Sequence, residues 1–328
     1  MVYASVIIFD FSRQNFVKNA IDSIKADLNG LEIELILLKS YKDIHIEEFL
    51  KENNVRYVDL MEAKQQSDYI KTAVNIASGE IIIFMDDDDV FYPEKIRYII
   101  TIFQAHKNLG YYHNNFDTIN DHEVFISKKN YKTPKFKNLY LKENEKSKFF
   151  QRNKNLRLLL KIRPDFNSSS ISVRKTIFSH LNIQHNFNDR VDSFIFALAL
   201  LSHMDIFLDN RILTHYRIHE GNGSISLTSD ITKLTQIFTK SYLSGITVYN
   251  IIKSIMANTV YERYIQLRLI NLELGYNFWS LSRTYKIKFG EKALAIGTDF
   301  IHEAIYMILS SMPAFIKLKV MKIFYHAK

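Results

Sequence analysis

Four short strand-like segments, at residues 5–9, 33–38, 55–58 and 81–85, recur through the N-terminal third of the chain. They are bounded by polar turns and are too short for helices. Between them the pattern changes period. Phe16, Ala20, Ile21 and Ile24 repeat at helical spacing after a polar turn at 12–15, and 46–53 and 69–77 read as further helices. Strands and helices in strict alternation predict a parallel sheet covered by helices on both faces, with ligands bound where the strands end at their carboxyl termini. At one such end, directly after the most apolar strand, stand Asp86, Asp87, Asp88 and Asp89.

Downstream, Pro93 opens a helix to residue 103, and the pattern then loosens into a polar, Asn- and Lys-rich stretch reaching about residue 155, which is where an inserted substrate loop is expected. Regularity returns with a strand at 168–173, an apolar helix at 192–202 and a last strand at 212–218. A Gly- and Asn-rich loop at 220–224 reads as a boundary, and helical spacing follows from residue 229. Tyr276, Phe278 and Trp279 read as core of that region. At 328 residues there is room for a substantial core, and 47% hydrophobic with 24% charged residues argues against disorder or a repeat array. Zero cysteines exclude disulfides, zinc-thiolate sites and thiol nucleophiles. The longest apolar stretches, 194–201 and 304–316, fall short of the roughly 20 residues of a membrane span. The apolar start at 2–9 reads as a strand, since no basic region precedes it and no small-residue cleavage site follows.

The net charge of +8 is unevenly spread. Residues 231–328 carry it all, and within the balanced remainder the segment 128–163 holds 13 basic and 2 acidic residues. That segment interleaves Tyr131, Phe136, Tyr140, Phe149 and Phe150 with lysines, which suits nucleic acid or an anionic lipid-linked acceptor. A solvated loop with anchoring aromatics is the competing and favoured reading. The terminal stretch 313–328 mixes apolar residues with Lys317, Lys319 and Lys322, which fits either an anionic membrane surface or docking on the helical region.

Carboxylates one residue apart at a strand end can share a divalent cation, and hard ions such as Mg²⁺ or Mn²⁺ take such oxygen ligands. An acidic surface turn is the bland alternative, but it seldom follows a fully apolar strand. HAD-type phosphatases also carry Asp-x-Asp after a strand; here the run is longer and leads through Tyr92 and Pro93 into a helix.

Four pieces then occur in order: "SVIIFDFSRQNFVKNAIDSI", "IASGEIIIFMDDDDVFYPEKI", "RVDSFIFALAL" and "HYRIHEGNGS". Over roughly residues 3–225 the chain thereby resembles the family 2 (GT-A fold) glycosyltransferases. Beside the all-helical C-terminal region read from the spacing after residue 229, the resemblance implies an α/β fold with a mostly parallel GT-A-type sheet and helices on both faces. It sets a GT-A domain at 1–225, with a nucleotide-binding half at 1–110 and an acceptor half at 111–225. The helical region at 226–328 would serve a membrane surface or oligomerisation. It further implies a metal-dependent, inverting transfer of sugar from a nucleotide-sugar donor to a hydroxyl of a glycan or lipid-linked acceptor, in the cytoplasm or at the inner membrane surface.

Residue by residue, the resemblance gives Asp88 and His219 to a Mn²⁺ or Mg²⁺ ion, and Asp86, Asp87, Asp10, Phe11, Arg13, Lys71 and Arg217 to the donor. Asp192 would be the general base, with Asp189 competing for that role. Asp87 and Asp89 are neighbours in support of Asp86 and Asp88. The family's acid after the second strand is replaced by Lys39-Ser40-Tyr41-Lys42-Asp43, which puts the donor base in question and makes Asp10 a candidate substitute. Val191 stands where the family has Glu beside the catalytic Asp.

Two other classes stay open: a catalytically silent glycan-binding or scaffold protein of the same fold, and, less favoured, a nucleic-acid binder acting through 128–163. A sugar-1-phosphate nucleotidyltransferase is disfavoured because "FDFSRQNF" has no glycine.

Overall fold

The computed structural model describes residues 3–11, 14–26, 28, 30–63, 65–126, 135–179, 186–219, 231–281 and 312–326. In chain order these form β1 (Ala4–Asp10), α1 (Gln14–Lys25), β2 (Ile33–Lys39), α2 (Ile44–Glu52), β3 (Arg56–Asp59), α3 (Gln66–Ile76), β4 (Ile81–Asp86), β5 (Val90–Phe91) and α4 (Lys95–Ala105). There follow β6 (Leu109–Ile119), β7 (Leu139–Leu141), α5 (Glu143–Phe150), α6 (Asn153–Ile162), β8 (Ile171–Arg174), α7 (Val191–Leu201) and β9 (Asp205–Arg217). The chain continues with α8 (Ile231–Ile255), α9 (Glu262–Trp279) and α10 (Ala314–His326).

Nine strands make one sheet in the order β3-β2-β1-β4-β8-β6-β9-β5, with β7 pairing on β9. The first four strands are parallel, β8 runs antiparallel to both β4 and β6, and β6 and β9 are parallel again. Every residue of β1 is buried, as a central strand covered on both faces requires. On one face Val6 and Ile8 pack with Val17, Ala20, Ile21 and Ile24 of α1 and with Ile96, Ile99 and Phe103 of α4. On the other, Phe9 stacks on Phe84 at 5.7 Å and meets Tyr69 of α3 edge-on.

Where a structureless insertion is expected after residue 103, the chain instead builds β6, an eleven-residue strand inside the sheet, then β7, α5 and α6. Its polar core residues hid it. His113, Asn114 and Asn115 are buried because partners are provided: Asn114 Nδ2 donates to the Asn115 carbonyl and to Thr214 Oγ1, and Asn115 Nδ2 to Asn210 Oδ1. The last strand likewise begins at Asp205, earlier than its apolar end suggests.

The chain divides into two compact units, Met1–Asn144 with Pro164–Arg217, and Glu145–Arg163 with Ile218–Lys328. Within the second, Phe150 packs on the rings of Tyr261 and Tyr264 at 5.0 and 5.9 Å. Trp279 and Phe278 are buried beside Leu234 and Met321, and Tyr276 is half-buried. Lys317 is fully buried and donates to the Asn277 carbonyl at 2.6 Å, so α10 docks through that side of the helix. In the first unit the Tyr140 ring packs at a tilt against those of His106 and Phe207. Tyr140 and Phe150 are thus anchors, while Tyr131 lies outside the described residues. No described helix is long and apolar enough to cross a membrane.

Gly79 lets β4 enter the sheet beside β1. A Cβ there would lie 2.5 Å from the Ser5 nitrogen and 2.6 Å from the Ala4 carbonyl carbon, both backbone atoms that a rotamer change cannot move. Gly79→Ala should therefore destabilise the chain by about 3 kcal/mol in urea unfolding; an unchanged midpoint would show that the two strands do not approach this closely.

Candidate functional site

Parallel pairing brings the carboxyl ends of β1, β2 and β4 level, with Phe9 opposite Asp86 and Asp10 opposite Lys39. At this level the acidic run turns. The Asp87 amide continues the sheet onto the Phe9 carbonyl, and the Asp89 amide closes back on the Asp86 carbonyl at 3.3 Å. The turn separates the four carboxylates. Asp87 points back to β1, where Oδ2 accepts the Phe11 amide at 3.0 Å. Asp86, Asp88 and Asp89 converge, with one ligand oxygen from each within 4.8 Å of the others.

Asp87, Asp88 and Asp89 are nearly or fully buried. Burial first, then repulsion from Asp88 and Asp86, pushes the Asp89 carboxyl well above the usual carboxylate range. Its Oδ1 accepts the Arg217 amide at 3.0 Å, while the buried Oδ2 accepts no hydrogen bond. Three converging carboxylates, all-oxygen donors and an unsatisfied buried oxygen fit a hard divalent cation. Asp89 stands with Asp86 and Asp88 here, a grouping that sequence spacing alone did not single out.

Basic groups back this turn from inside. Arg217 is fully buried; Nε donates to the Asp88 carbonyl at 2.7 Å, Nη1 to the carbonyls of Asn120 and Asp121, and Nη2 pairs with Glu123. The guanidinium therefore holds the backbone of the acidic turn. Lys95, missed by sequence reasoning, is also fully buried, donating to the Ser169 carbonyl and to Thr214 Oγ1 at 2.7 Å with its ammonium over the Phe91 ring. Desolvation holds its pKa well below the ordinary lysine range, against the pull of Asp89. His219 is buried and belongs to the second unit.

The altered loop after β2 has its own logic. Lys39 is fully buried, ion-paired with Asp59 and with Glu47 at 2.9 Å, and donates to the Tyr41 carbonyl. These partners more than offset desolvation and raise its pKa. Asp43 is spent as the cap of α2, accepting the amides of His45 and Ile46. Tyr41 instead reaches across, its hydroxyl donating to Asp10 Oδ2 in a short contact. Asp10 is fully buried, and the Phe11 ring lies 4.9 Å from Tyr69. Burial and the Asp10 carboxylate raise the Tyr41 phenol's pKa. Lys71 donates to Asn186 Oδ1 at 3.1 Å. Arg13 lies outside the described residues.

Across the sheet, the segment 164–170 before β8 meets both Asp192 and the acidic turn. The Asn167 amide donates to Asp192 Oδ2 at 2.9 Å, and the next residue, Ser168, donates through Oγ to Asp86 Oδ1 at 2.6 Å. Ser169 Oγ accepts the Asp86 amide. Asp192 opens α7, with Oδ1 accepting the Ser193 amide at 2.7 Å. Part of its surface stays accessible, yet desolvation by the surrounding protein pushes its pKa up to about 7, with Arg190 pulling the other way and Asp165 adding repulsion. Asp189 is more exposed, its carboxylate 3.8 Å from Arg190 and accepting that residue's amide. Val191, in the position of the missing acid, is buried. The run "NSSS" was the signal for Asn167, Ser168 and Ser169, polar residues where an ordinary buried strand would be apolar.

A profile described as Glycosyl transferase family 2 matches residues 5–176. An uncharacterized glycosyltransferase of Nostoc sp., alr2836, is 25% identical over 136 residues, 40% of this chain and 42% of that protein. The chain thus spans under half the length of that relative. Among solved structures, Staphylococcus aureus TarS 1-349 superposes with a TM-score of 0.55 at 12% identity, covering 94% of this chain and 81% of TarS. The Pyrobaculum calidifontis mannosyltransferase PcManGT, in complex with GDP-Man and Mn²⁺, gives 0.55 at 11% identity, covering 99% and 88%. At such identities these structures speak for the fold.

Asp89→Asn removes the most confined charge of the acidic turn. In EDTA the variant should be more stable than the parent by about 1–2 kcal/mol in urea unfolding, and Mn²⁺ should stabilise it less. Lower stability in EDTA with an undiminished Mn²⁺ effect would rule out the three-carboxylate cation site.

Proposed function

The chain belongs to glycosyl transferase family 2, and from that premise we propose that it is a metal-dependent, inverting glycosyltransferase that moves a sugar from a nucleoside-diphosphate sugar to a hydroxyl of a glycan or lipid-linked acceptor. One observation carries the reading. Consecutive residues, Asn167 and Ser168, touch Asp192 and Asp86 respectively, so a single rigid stretch of backbone fixes a carboxylate of raised pKa against a cation-binding turn. Separated acid and base functions of this kind are what a displacement at a sugar carbon needs. PcManGT crystallised with GDP-Man and Mn²⁺, and TarS with UDP-GlcNAc at a TM-score of 0.52 and 10% identity over 99% of this chain and 92% of that one, support the donor class.

Asp86, Asp88 and Asp89 would hold Mn²⁺ or Mg²⁺, which supplies positive charge for the departing diphosphate. Asp192 takes the proton of the acceptor hydroxyl. That oxygen attacks the anomeric carbon from the face opposite the phosphate, the new C–O bond forms, and the bond from the anomeric carbon to the phosphate oxygen breaks. Its electron pair leaves on the nucleoside diphosphate, giving one inversion. Asp192 suits the base role better than Asp189: the amides of Asn167 and Ser193 orient both its oxygens, and its pKa lies close to neutral pH. On the donor side, the buried Asp10 with the Tyr41 hydroxyl takes the place of the family's missing acid. Peripheral contact with an anionic membrane surface belongs to the same proposal, because α10 leaves Phe315 and Lys319 exposed one helical turn apart.

A base with a pKa near 7 works only when deprotonated, so kcat at saturating donor and metal should rise about tenfold per pH unit below 7 and level off above it. Urea unfolding should show the reverse trend. The folded chain holds the Asp192 proton that the unfolded chain, with the ordinary pKa of 3.8, has lost, so this residue's contribution to stability falls as pH climbs from about 4 through 7. Asp192→Asn should lower kcat by about 10²–10⁴ and leave Mn²⁺-dependent donor binding in place. A flat pH profile, or donor binding lost along with turnover, would remove Asp192 from the base role.

A further inference from the structure

Most irregular segments run over the surface with solvated backbone and considerable freedom. Residues 164–170 do not. The Pro164 carbonyl accepts the Tyr111 hydroxyl, the Asp165 carbonyl accepts Ser193 Oγ at 3.2 Å, and the Phe166 carbonyl meets His113 Nε2 at 2.9 Å. The Asn167 carbonyl accepts the Ser170 amide, and the Ser169 carbonyl takes both Lys95 Nζ and Thr214 Oγ1. Burial pushes the His113 pKa down to about 4, and its Nδ1 has no hydrogen-bond partner, which leaves a neutral ring donating from Nε2 to Phe166. Asn167 itself sits at φ 67°, ψ 96°, off the favourable left-handed well for a residue with a side chain. Pinning and strain of this degree mark a segment whose position matters to a reaction more than to the sheet.

What the segment carries on its accessible side is Phe166. With Phe116 of β6 and Tyr216 of β9 it forms a cluster of three rings, their centroids 5.5–5.8 Å apart and tilted by 51–62°. Tyr216 is almost covered, but Phe116 and Phe166 each keep part of their surface open, and Phe166 is one residue from the Asn167 amide that orients Asp192. No residue from 164 to 170 is basic, the Lys95 ammonium is engaged by the Ser169 carbonyl and Thr214, and Arg190 is set against the carboxyls of Asp192 and Asp165, which disfavour a phosphate or other anion at the rings. The surface instead matches a neutral molecule with an apolar face and a rim of hydroxyls. A pyranose has that form: its C–H bonds, slightly positive, lie on the negative faces of aromatic rings, and its hydroxyls project sideways.

We propose that Phe116 and Phe166, backed by Tyr216, are the acceptor subsite, and that its occupant is the C–H face of an acceptor sugar whose hydroxyl is thereby presented to Asp192. This rests on the reading of Asp192 as the base. The rings bind and orient the acceptor and take no part in the proton transfer.

Two measurements test it on the full chain. Saturation-transfer NMR with the methyl glycosides of glucose, galactose, mannose and N-acetylglucosamine should show transfer to ring C–H protons of at least one, weakened by Phe116→Leu and Phe166→Leu. With Mn²⁺ and UDP-glucose, UDP-GlcNAc or GDP-mannose, the ratio of transfer onto the responding glycoside to hydrolysis by water should fall about tenfold in Phe166→Leu, chiefly through the acceptor KM. Leucine keeps an apolar side chain at the site, and a purely structural role would lower transfer and hydrolysis together, leaving the ratio unchanged. An unchanged ratio overturns the subsite. So does a wild-type chain that hydrolyses its donor but gives no signal with any of the four glycosides. Should no donor be hydrolysed at all, the enzyme reading fails. The NMR result then decides the subsite alone: a ring signal lost in Phe166→Leu supports a sugar-binding surface, and no signal overturns it.

Discussion

Four consecutive carboxylates at the end of a fully buried strand set the problem that the first unit is built around. Like charges in low dielectric repel strongly, and burying one without partners costs several kcal/mol. The chain divides the load. Asp87 is turned onto the Phe11 amide, Asp86 onto Ser168 Oγ, and Asp89 onto the Arg217 amide. Beneath them Arg217 ties the turn to β9 through the Asp88 carbonyl, and the buried Lys95 bonds the Ser169 carbonyl and Thr214 Oγ1 of the elements beside it. Some repulsion is left over at Asp89, and a divalent cation at the turn would relieve it.

The parallel half of the sheet was legible because its chemistry is local. Segments 5–9, 33–38 and 81–85 are apolar and β-branched, as strands covered on both faces must be, and the helices between them keep one apolar stripe each. β6 was not legible. "YYHNNFD" reads as a polar loop unless one knows that Thr214 and Asn210, a hundred residues on, supply its hydrogen bonds. A buried polar strand is specified by its partners, and partners at such separation leave no mark on a window of ten residues.

The same distinction runs through the site. The Asp run announces itself, since an acidic surface turn, its bland reading, seldom follows a strand as apolar as "IIIFM". Asp192 could be found only by likeness to a family motif, because a lone acid at a helix start is ordinary N-terminal chemistry. In the 164–170 segment only the polar run "NSSS" left a mark: the rest of its engagement lies in carbonyls, which every residue has, and in Tyr111, His113, Ser193 and Thr214, which reach them from three other elements. Sequence shows side chains well and shows backbone engagement hardly at all.

The loop after β2 shows how a departure from a family pattern can be a rearrangement and not simply a loss. A lysine at the end of a buried strand has to be neutralised, and Lys39 draws Glu47 and Asp59 to itself while Asp43 caps α2. No acid of that loop is then left to face a ligand. Tyr41 of the same loop turns its hydroxyl onto Asp10, a residue fixed by β1 and therefore rigid. A buried carboxylate that already accepts one hydrogen bond from a phenol keeps acceptor capacity for a second donor, whereas a solvated loop acid can swing to suit several. In the proposed donor site, a carboxylate fixed on β1 in place of a loop acid would narrow the set of hydrogen-bond donors that this corner can satisfy.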